Sequence, residues 1–344
     1  MNSKERVFAT IRREKVDYPA SWLGLPVPPA LPALFEHFKV SNTDELKKCI
    51  DDDVWPILVP YNNAPHYDVG CALTFAKEEI ENGSQDERTL TAPGFFEGMT
   101  DPKMVDTFPW PNPADFLDVE KAAKLVEQAP DDYFKMGIMW SAHFQDTCSA
   151  FGMEDALTTM MMYPEMFQAV IDKITDFYLD LNGRFYEATK GKLDGVLIGN
   201  DFGSQTALMV DPFMLREYVF PGTKKLVDQA KSYGLTVLHH SCGSIFPIID
   251  DLYEMGVDIV HPIQALASDM SAEHLSGEFT SKAFCGAVDA QELLVHGTPE
   301  QITKRVHELK NVFPTGLIIS PSHEAILPDI APENIEALFK AVKE

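Results

Sequence analysis

His240 and Cys242 have the residue types and the spacing to hold a metal ion. They end the run Leu235-Thr236-Val237-Leu238-His239-His240-Ser241-Cys242-Gly243. Its apolar, β-branched start predicts a buried strand, and the change to His, Ser and Cys before Gly243 puts polar groups at the strand's carboxyl end. Strand side chains alternate between faces, so His240 and Cys242 project to one side and His239 and Ser241 to the other. An imidazole and a thiolate meeting on one side suit Zn²⁺, and two ligands make half a site that must be completed from elsewhere in the fold. The competing reading is a capped strand end with a structural cysteine, since Cys is among the most buried residue types.

Other apolar runs also end on polar residues. Asn200 and Asp201 follow Val196-Leu197-Ile198-Gly199, and His261 and Gln264 follow Asp258-Ile259-Val260. Asp289 follows Lys282-Ala283-Phe284-Cys285-Gly286, while Ser320, Ser322, His323 and Glu324 close the run 316–320. Between these runs lie helical patterns over 153–162, 164–190, 214–233 (capped by Asp211-Pro212) and 245–255. Two more open at Thr298-Pro299-Glu300 and Pro332-Glu333-Asn334. Alternation of strand and helix from about residue 133 onward indicates a parallel α/β fold.

In a closed barrel all strand ends ring one mouth, whereas an open doubly wound sheet usually carries a glycine-rich phosphate turn. Gly199-Asn200-Asp201-Phe202-Gly203 lacks that spacing. The predicted fold is therefore α/β, a (β/α)8 TIM-type barrel with an N-terminal cap extension, in one domain over 1–344. Residues 131–344 supply the main repeats, and residues 1–130 the cap and first elements. In the cap, the pattern predicts a helix over 2–13, irregular structure over the proline-rich 19–35, a helix over 43–50 and a strand over 54–59. A hairpin follows over 67–93 with Asn82-Gly83-Ser84 as its turn, then a helix over 118–129. Trp22, Trp55 and Trp110 are expected to pack against the barrel or across a homodimer.

The chain has 344 residues, 45% hydrophobic and 24% charged, a balance that supports a substantial core. Its 53 acidic and 28 basic residues leave a formal charge of −25, which repels phosphate backbones and anionic membranes and argues against both as partners. The five cysteines (Cys49, Cys71, Cys148, Cys242, Cys285) are odd in number and widely spaced, so reduced thiols and a cytoplasmic location are expected. The opening Met-Asn-Ser-Lys-Glu-Arg-Val does not read as a signal peptide, and no apolar run approaches a membrane span.

Four stretches carry a resemblance to a known family. They are Ser3-Lys4-Glu5-Arg6-Val7, Gly199-Asn200-Asp201-Phe202-Gly203-Ser204-Gln205, His240-Ser241-Cys242-Gly243-Ser244 and Pro328-Asp329-Ile330-Ala331-Pro332-Glu333-Asn334-Ile335. The chain resembles the uroporphyrinogen decarboxylase superfamily over nearly its whole length, most closely from about residue 195 onward. The resemblance implies a distorted (β/α)8 barrel and one of two activities. One is decarboxylation of uroporphyrinogen. The other is zinc-dependent methyl transfer with a corrinoid (cobalamin) protein as partner, as in methanol, methylamine and phenyl methyl ether demethylating (O-demethylase) systems.

The family's decarboxylases hold substrate carboxylates with arginines after a Pro-x-Trp segment. The corresponding stretch here, Pro19-Ala20-Ser21-Trp22-Leu23-Gly24-Leu25-Pro26, has no arginine, and a charge of −25 opposes an octa-acid substrate. The methyltransferase branch is matched at His240-x-Cys242, where the family holds zinc, and its usual third ligand is a cysteine in the last strand's loop. Ser320-Pro321-Ser322-His323-Glu324 stands in that place, so the resemblance implies His323 as third ligand, with Cys285 as a fallback. His323 also resembles the decarboxylases' histidine in the same loop.

The expected function is transfer of a methyl group from a small methylated donor to a corrinoid protein, with zinc as Lewis acid. The chain carries no cobalamin-binding Asp-x-His-x-x-Gly stretch of its own. Asp201, His323 and Glu324 are the expected catalytic groups; Asn200, Gln205, His239, His261, Gln264 and Asp289 are the expected substrate contacts. A turn cap at Asp201 and a structural strand end at His261 are the competing readings. Two other functions stay open: a metal-independent decarboxylase using His323 and Asp201, and a non-catalytic binding protein. His37, His66, His143, His274, His296 and His307 read as ordinary helix or loop residues, Met160-Met161-Met162 as helix packing, and Met136 and Trp140 as core residues near the mouth.

Overall fold

The computed structural model describes residues 1–62, 73 and 90–344. The chain opens with α1 (Ser3–Ile11), closed at its start by a capping box between Asn2 and Glu5. An extended stretch leads through β1 (Leu25–Pro26) to α2 (Leu31–Phe38), α3 (Thr43–Ile50) and β2 (Val54–Leu58). After α4 (Val119–Gln128) come β3 (Phe134–Trp140), α5 (His143–Phe151), α6 (Met153–Met162), α7 (Pro164–Ala188) and β4 (Gly195–Gly199). α8 (Pro212–Met214) runs through a π-helical turn into α9 (Phe220–Ser232), followed by β5 (Thr236–His240), α10 (Ile249–Glu254) and β6 (Ile259–Ile263). The chain finishes with α11 (Ala272–Glu278), β7 (Ala283–Val288), α12 (Leu293–His296), α13 (Pro299–Val312), β8 (Leu317–Pro321), β9 (Ala325–Ile326) and α14 (Pro332–Lys343).

β2 to β8 form one parallel sheet of seven strands in sequence order, and β1 pairs with β9 in a separate short ladder. An eighth stave lies between the sheet's two edges. Ser21 bridges to Ile319 of β8, with Trp22 N donating to Ile319 O at 3.1 Å and Ile319 N to Ala20 O at 2.8 Å; on the other edge Asp53 N donates to Ser21 O at 2.9 Å. The proline-rich segment read as irregular thus closes the barrel. Its pairing is centred on one residue, too short to leave an alternating pattern in the sequence.

Buried charge holds this stave in place. Asp53 Oδ2 accepts from Ser21 N at 2.8 Å, and Asp52 Oδ2 accepts from Leu23 N at 2.6 Å. Each carboxylate has its own buried cation, Arg6 for Asp53 and Lys47 for Asp52. Burial raises the pKa of both acids, and the facing cations counter it. Inward residues such as Phe134, Met136, Leu197, Leu238, Cys285 and Ile318 fill the barrel with Trp22 and Val7, and α1 packs its Phe8 and Ile11 against them. Outward residues such as Val196, Val237 and Phe284 lie under the helices.

The pattern places β2 to β8 and the long helices, but not β1, β9, α2, α5, α11 or α12. It overextends α10, where Phe246–Ile248 forms a 3₁₀ turn first. The expected hairpin, with its Asn82-Gly83-Ser84 turn, lies outside the described residues apart from its end. Trp22 and Trp55 are buried within their own chain, and Trp110 donates its indole N–H to Val105 O at 2.9 Å. Of the methionine run only Met160 packs inward, Met161 and Met162 being 73% and 65% exposed. No helix among the described residues is long and apolar enough to cross a membrane.

Asp53→Ala removes a partner from both buried Arg6 and Ser21 N. The expected loss is on the order of 3 kcal/mol, read as a lower urea midpoint; an unchanged midpoint would mean that the clasp does not hold the barrel closed.

Candidate functional site

Register brings three strand ends level. Gly199 of β4 pairs with His240 of β5, and His240 with His261 of β6. The alternation that points Leu238 into the barrel points His240 inward above it, at the carboxyl mouth. The loops after β4 and β5 then pack backbone against backbone. A Cβ on Gly243, whose φ is +84°, would lie 2.3 Å from the carbonyl carbon of Gly203, and Ser244 N donates to Ser204 O at 2.7 Å. That close approach sets Asp201 beside Cys242.

His240 is the hub of the cluster. Its Nε2 lies 3.3 Å from Cys242 Sγ and 3.2 Å from Asp201 Oδ1. On the opposite side, its Nδ1 lies 3.2 Å from His261 Nδ1 and 3.3 Å from Glu324 Oε2. Asp201 Oδ1 also accepts from Cys242 N at 2.9 Å. The Trp140 ring meets His240 edge to face at 5.1 Å, and the His323 ring stands 6.2 Å from it.

These groups tune one another. Burial alone lowers the His240 pKa, but Glu324, Cys242 and Asp201 raise it well above the ordinary histidine value. Burial raises the Cys242 thiol and the Asp201 carboxyl, yet His240 brings both below their usual ranges. Burial, reinforced by the charge on His240, keeps His261 neutral. For His323 burial again lowers the pKa, and Cys242 and Glu324 raise it more.

Two donor sets have ligating atoms within 4.8 Å of one another: Asp201, His240 and Cys242, and His240, His261 and Glu324. Glu324 Oε2 and His261 Nε2 are buried without an aligned hydrogen-bond partner. Thiolate, imidazole and carboxylate are all zinc donors, and a thiol whose pKa is already lowered needs less help to deprotonate. The residues present fit a zinc ion. Beside them the backbone is strained: Trp140 and Ser141 have φ of +56° and +57°, at a register shift in β3. Ser141 is held there by Asn182 Nδ2 at 2.9 Å. Such strain on non-glycine residues is characteristic of functional sites.

Several expected contacts turn out to be structural. Asn200 Oδ1 accepts from Phe144 N at 2.8 Å at the start of α5, and Gln264 Oε1 accepts from Gly243 N at 2.6 Å. The Asp289 carboxylate accepts the N–H groups of Gln291, Glu292 and Leu293 before α12. His239 lies on the barrel's outer face, stacked on Phe202 at 5.8 Å, and burial lowers its pKa to about 3. In this structure Asn200, Gln264 and Asp289 position neighbouring loops and helix starts through their acceptor oxygens, and His239 packs in the outer core. Gln205 is exposed and outside the cluster. Cys285 faces the barrel axis within the apolar core, its thiol pushed up by burial, so it does not serve as a fallback ligand.

Gln145 joins the site unanticipated, and Trp140, read as a core residue near the mouth, meets His240 there. Gln145 Nε2 donates to Asp201 Oδ2 at 3.3 Å, but α5 has no side-chain cap to announce it. His143, read as ordinary, is fully buried, with Asn200 Nδ2 3.1 Å from its Nδ1. With a lowered pKa, Cys242 in the metal-free protein should react with iodoacetamide along a pH profile whose midpoint lies below the free-thiol value of about 8.5. Cys148, pushed up to about 12 by burial, should stay unlabelled in the folded protein. Mass spectrometry showing Cys148 labelled as fast as Cys242 would contradict this electrostatic picture.

Comparison with known proteins fits this geometry. A methylated-thiol-coenzyme M methyltransferase from Methanosarcina mazei is 25% identical over 203 residues, 56% of this chain and 48% of that protein. The chain thus spans about half the length of the curated relative it matches. A solved methyltransferase structure from Methanosarcina mazei shares the fold, with a TM-score of 0.70 at 15% identity over 99% of this chain and 98% of that one. Residues 86–344, well over half of the sequence, match the uroporphyrinogen decarboxylase (URO-D) family model, and the chain belongs to that family.

Proposed function

We propose that the chain is a zinc-dependent methyltransferase that moves a methyl group from a small methylated donor to a corrinoid carried by a partner protein. The observation that carries this reading is the His240 Nε2 and Cys242 Sγ pair, 3.3 Å apart at the barrel mouth. The name of the Methanosarcina mazei relative extends the donor class from ethers, methanol and methylamines to methylated thiols. Bound at this pair, zinc would supply Lewis acidity, stabilising negative charge on the donor heteroatom as the methyl group leaves.

The chain's own residues do the rest. Trp140 walls the mouth beside His240. His323 Nδ1 accepts from Ala325 N at 3.0 Å, which leaves Nε2 to carry the ring proton, and its side chain is 43% exposed. It is the group able to hand a proton to a leaving oxygen or sulfur.

Decarboxylation of a porphyrinogen needs cations at the mouth, and the described arginines are engaged elsewhere. Arg6 pairs with Asp17 and Asp53, Arg12 with Glu14, Arg184 with Asp180, Arg216 with Asp251 and Arg305 with Glu273. Arg13 donates to Lys282 O at the other end of the barrel.

Cys242→Ser is expected to lose stoichiometric zinc by elemental analysis and to bring methyl transfer to a corrinoid protein down to background, with an unchanged far-UV spectrum. A variant that keeps its zinc and its full rate of transfer would overturn this function.

A further inference from the structure

His240 offers a cation only one of its two nitrogens. An imidazole that ligates through one nitrogen keeps a proton on the other and donates it to a neighbouring group. Here Nδ1 faces Glu324 Oε2 at 3.3 Å, a buried carboxylate oxygen with no aligned partner of its own. In a ligating His240 the proton is then on Nδ1 and the lone pair on Nε2. Cys242 and Asp201 lie on the Nε2 side, and the His323 side chain hydrogen-bonds Cys242 there. His261 and Glu324 lie on the Nδ1 side.

Asp201 is held as a ligand would be. Gln145 Nε2 donates to its Oδ2 at 3.3 Å while Gln145 Oε1 accepts from its backbone N at 3.2 Å, so one amide clamps both ends of the residue. Gln145 N in turn reaches Asn200 Oδ1 at 3.4 Å, tying α5 to the end of β4. Oδ1 accepts from Cys242 N at 2.9 Å and lies 3.2 Å from His240 Nε2, whose proton a shared cation would replace. A carboxylate oxygen with two lone pairs keeps one for a cation there.

His323 is placed differently. Its Nδ1 accepts from Ala325 N at 3.0 Å. The ring proton is therefore on Nε2, and a protonated nitrogen does not bind a metal. Ligation by His323 through Nε2 would require moving the ring proton to Nδ1, which breaks that backbone bond.

We infer that Asp201, through Oδ1, is the third protein ligand of the centre, that Gln145 is the positioning residue that aims it, and that His323 stands beside the centre without ligating. This rests on the zinc-dependent reading above. The result is a site of one sulfur, one nitrogen and one oxygen, where the family's resemblance implied a histidine or a second thiolate.

The test uses the full chain and the metal alone. Zinc affinity is measured by competition with a chromophoric chelator, and the ligand sphere by X-ray absorption and by the visible spectrum of the cobalt(II) form. One sulfur with nitrogen and oxygen neighbours is expected in the wild type. Asp201→Asn and Asp201→Ala, both folded by far-UV circular dichroism, should weaken zinc by more than about 100-fold, and Gln145→Ala by roughly 10- to 100-fold with a shifted cobalt spectrum. His323→Ala should keep the wild-type affinity and spectrum. Loss of metal from His323→Ala with retention in both Asp201 variants would overturn the assignment, and unchanged affinity and spectrum in Gln145→Ala would overturn the positioning role. Full zinc occupancy in Cys242→Ser marks failure of the zinc reading itself, a result distinct from either.

Discussion

A parallel sheet can bring its strand ends to one point only if it closes, and closure here depends on Ser21. The residue accepts from Asp53 N on one edge and belongs to the bridge with Ile319 on the other. A stave this short cannot hold by ladder bonds alone. Asp52 and Asp53 supply the missing acceptors from buried side chains, and Lys47 and Arg6 neutralise them. Buried carboxylates without those cations would cost several kcal/mol each. The register of β4, β5 and β6, and so the meeting of Asp201, His240, Cys242 and His261, follows from that closed ring.

The mouth reverses the usual arrangement of a barrel core. Directly beneath the site the interior is apolar, with Leu238, Cys285 and Ile318 facing the axis. At the mouth, carboxylates, a thiol and imidazoles share a few ångströms, with His240, His261 and Glu324 buried. In that setting each group's charge is set by its neighbours more than by its own chemistry. His240 stays between acids that stabilise a positive charge, and His261, on its far side and fully buried, stays neutral. Two of the residues that hold the arrangement, Gln145 and Gln264, are amides without charge, so they fix geometry while leaving the charge balance to the donors.

Much of the barrel and the heart of the site were legible in the sequence, because both follow from local alternation. Polar residues ending apolar runs marked the mouth, and the two-residue spacing of His240 and Cys242 put them on one face. The same local reasoning could not separate a polar residue facing the mouth from one turned to cap a helix or pin a turn. Asn200, Gln264 and Asp289 sit at strand ends as expected, yet their side chains are consumed by backbone N–H groups of neighbouring loops. Those partners are set by packing between distant segments, which no periodicity records.

The sequence by itself therefore determined the parallel α/β class, the level of the site and the His240 and Cys242 pair, since strand pleat and burial act over a few residues. Only the tertiary structure decided that residues 20–22 close the barrel, and that Asp201 rather than Cys285 stands on the Nε2 side of His240. Only it revealed that Gln145, from an unannounced helix, holds Asp201 there. The physical reason is contact between backbones far apart in sequence, above all Gly203 against Gly243, where any side chain would force the loops apart.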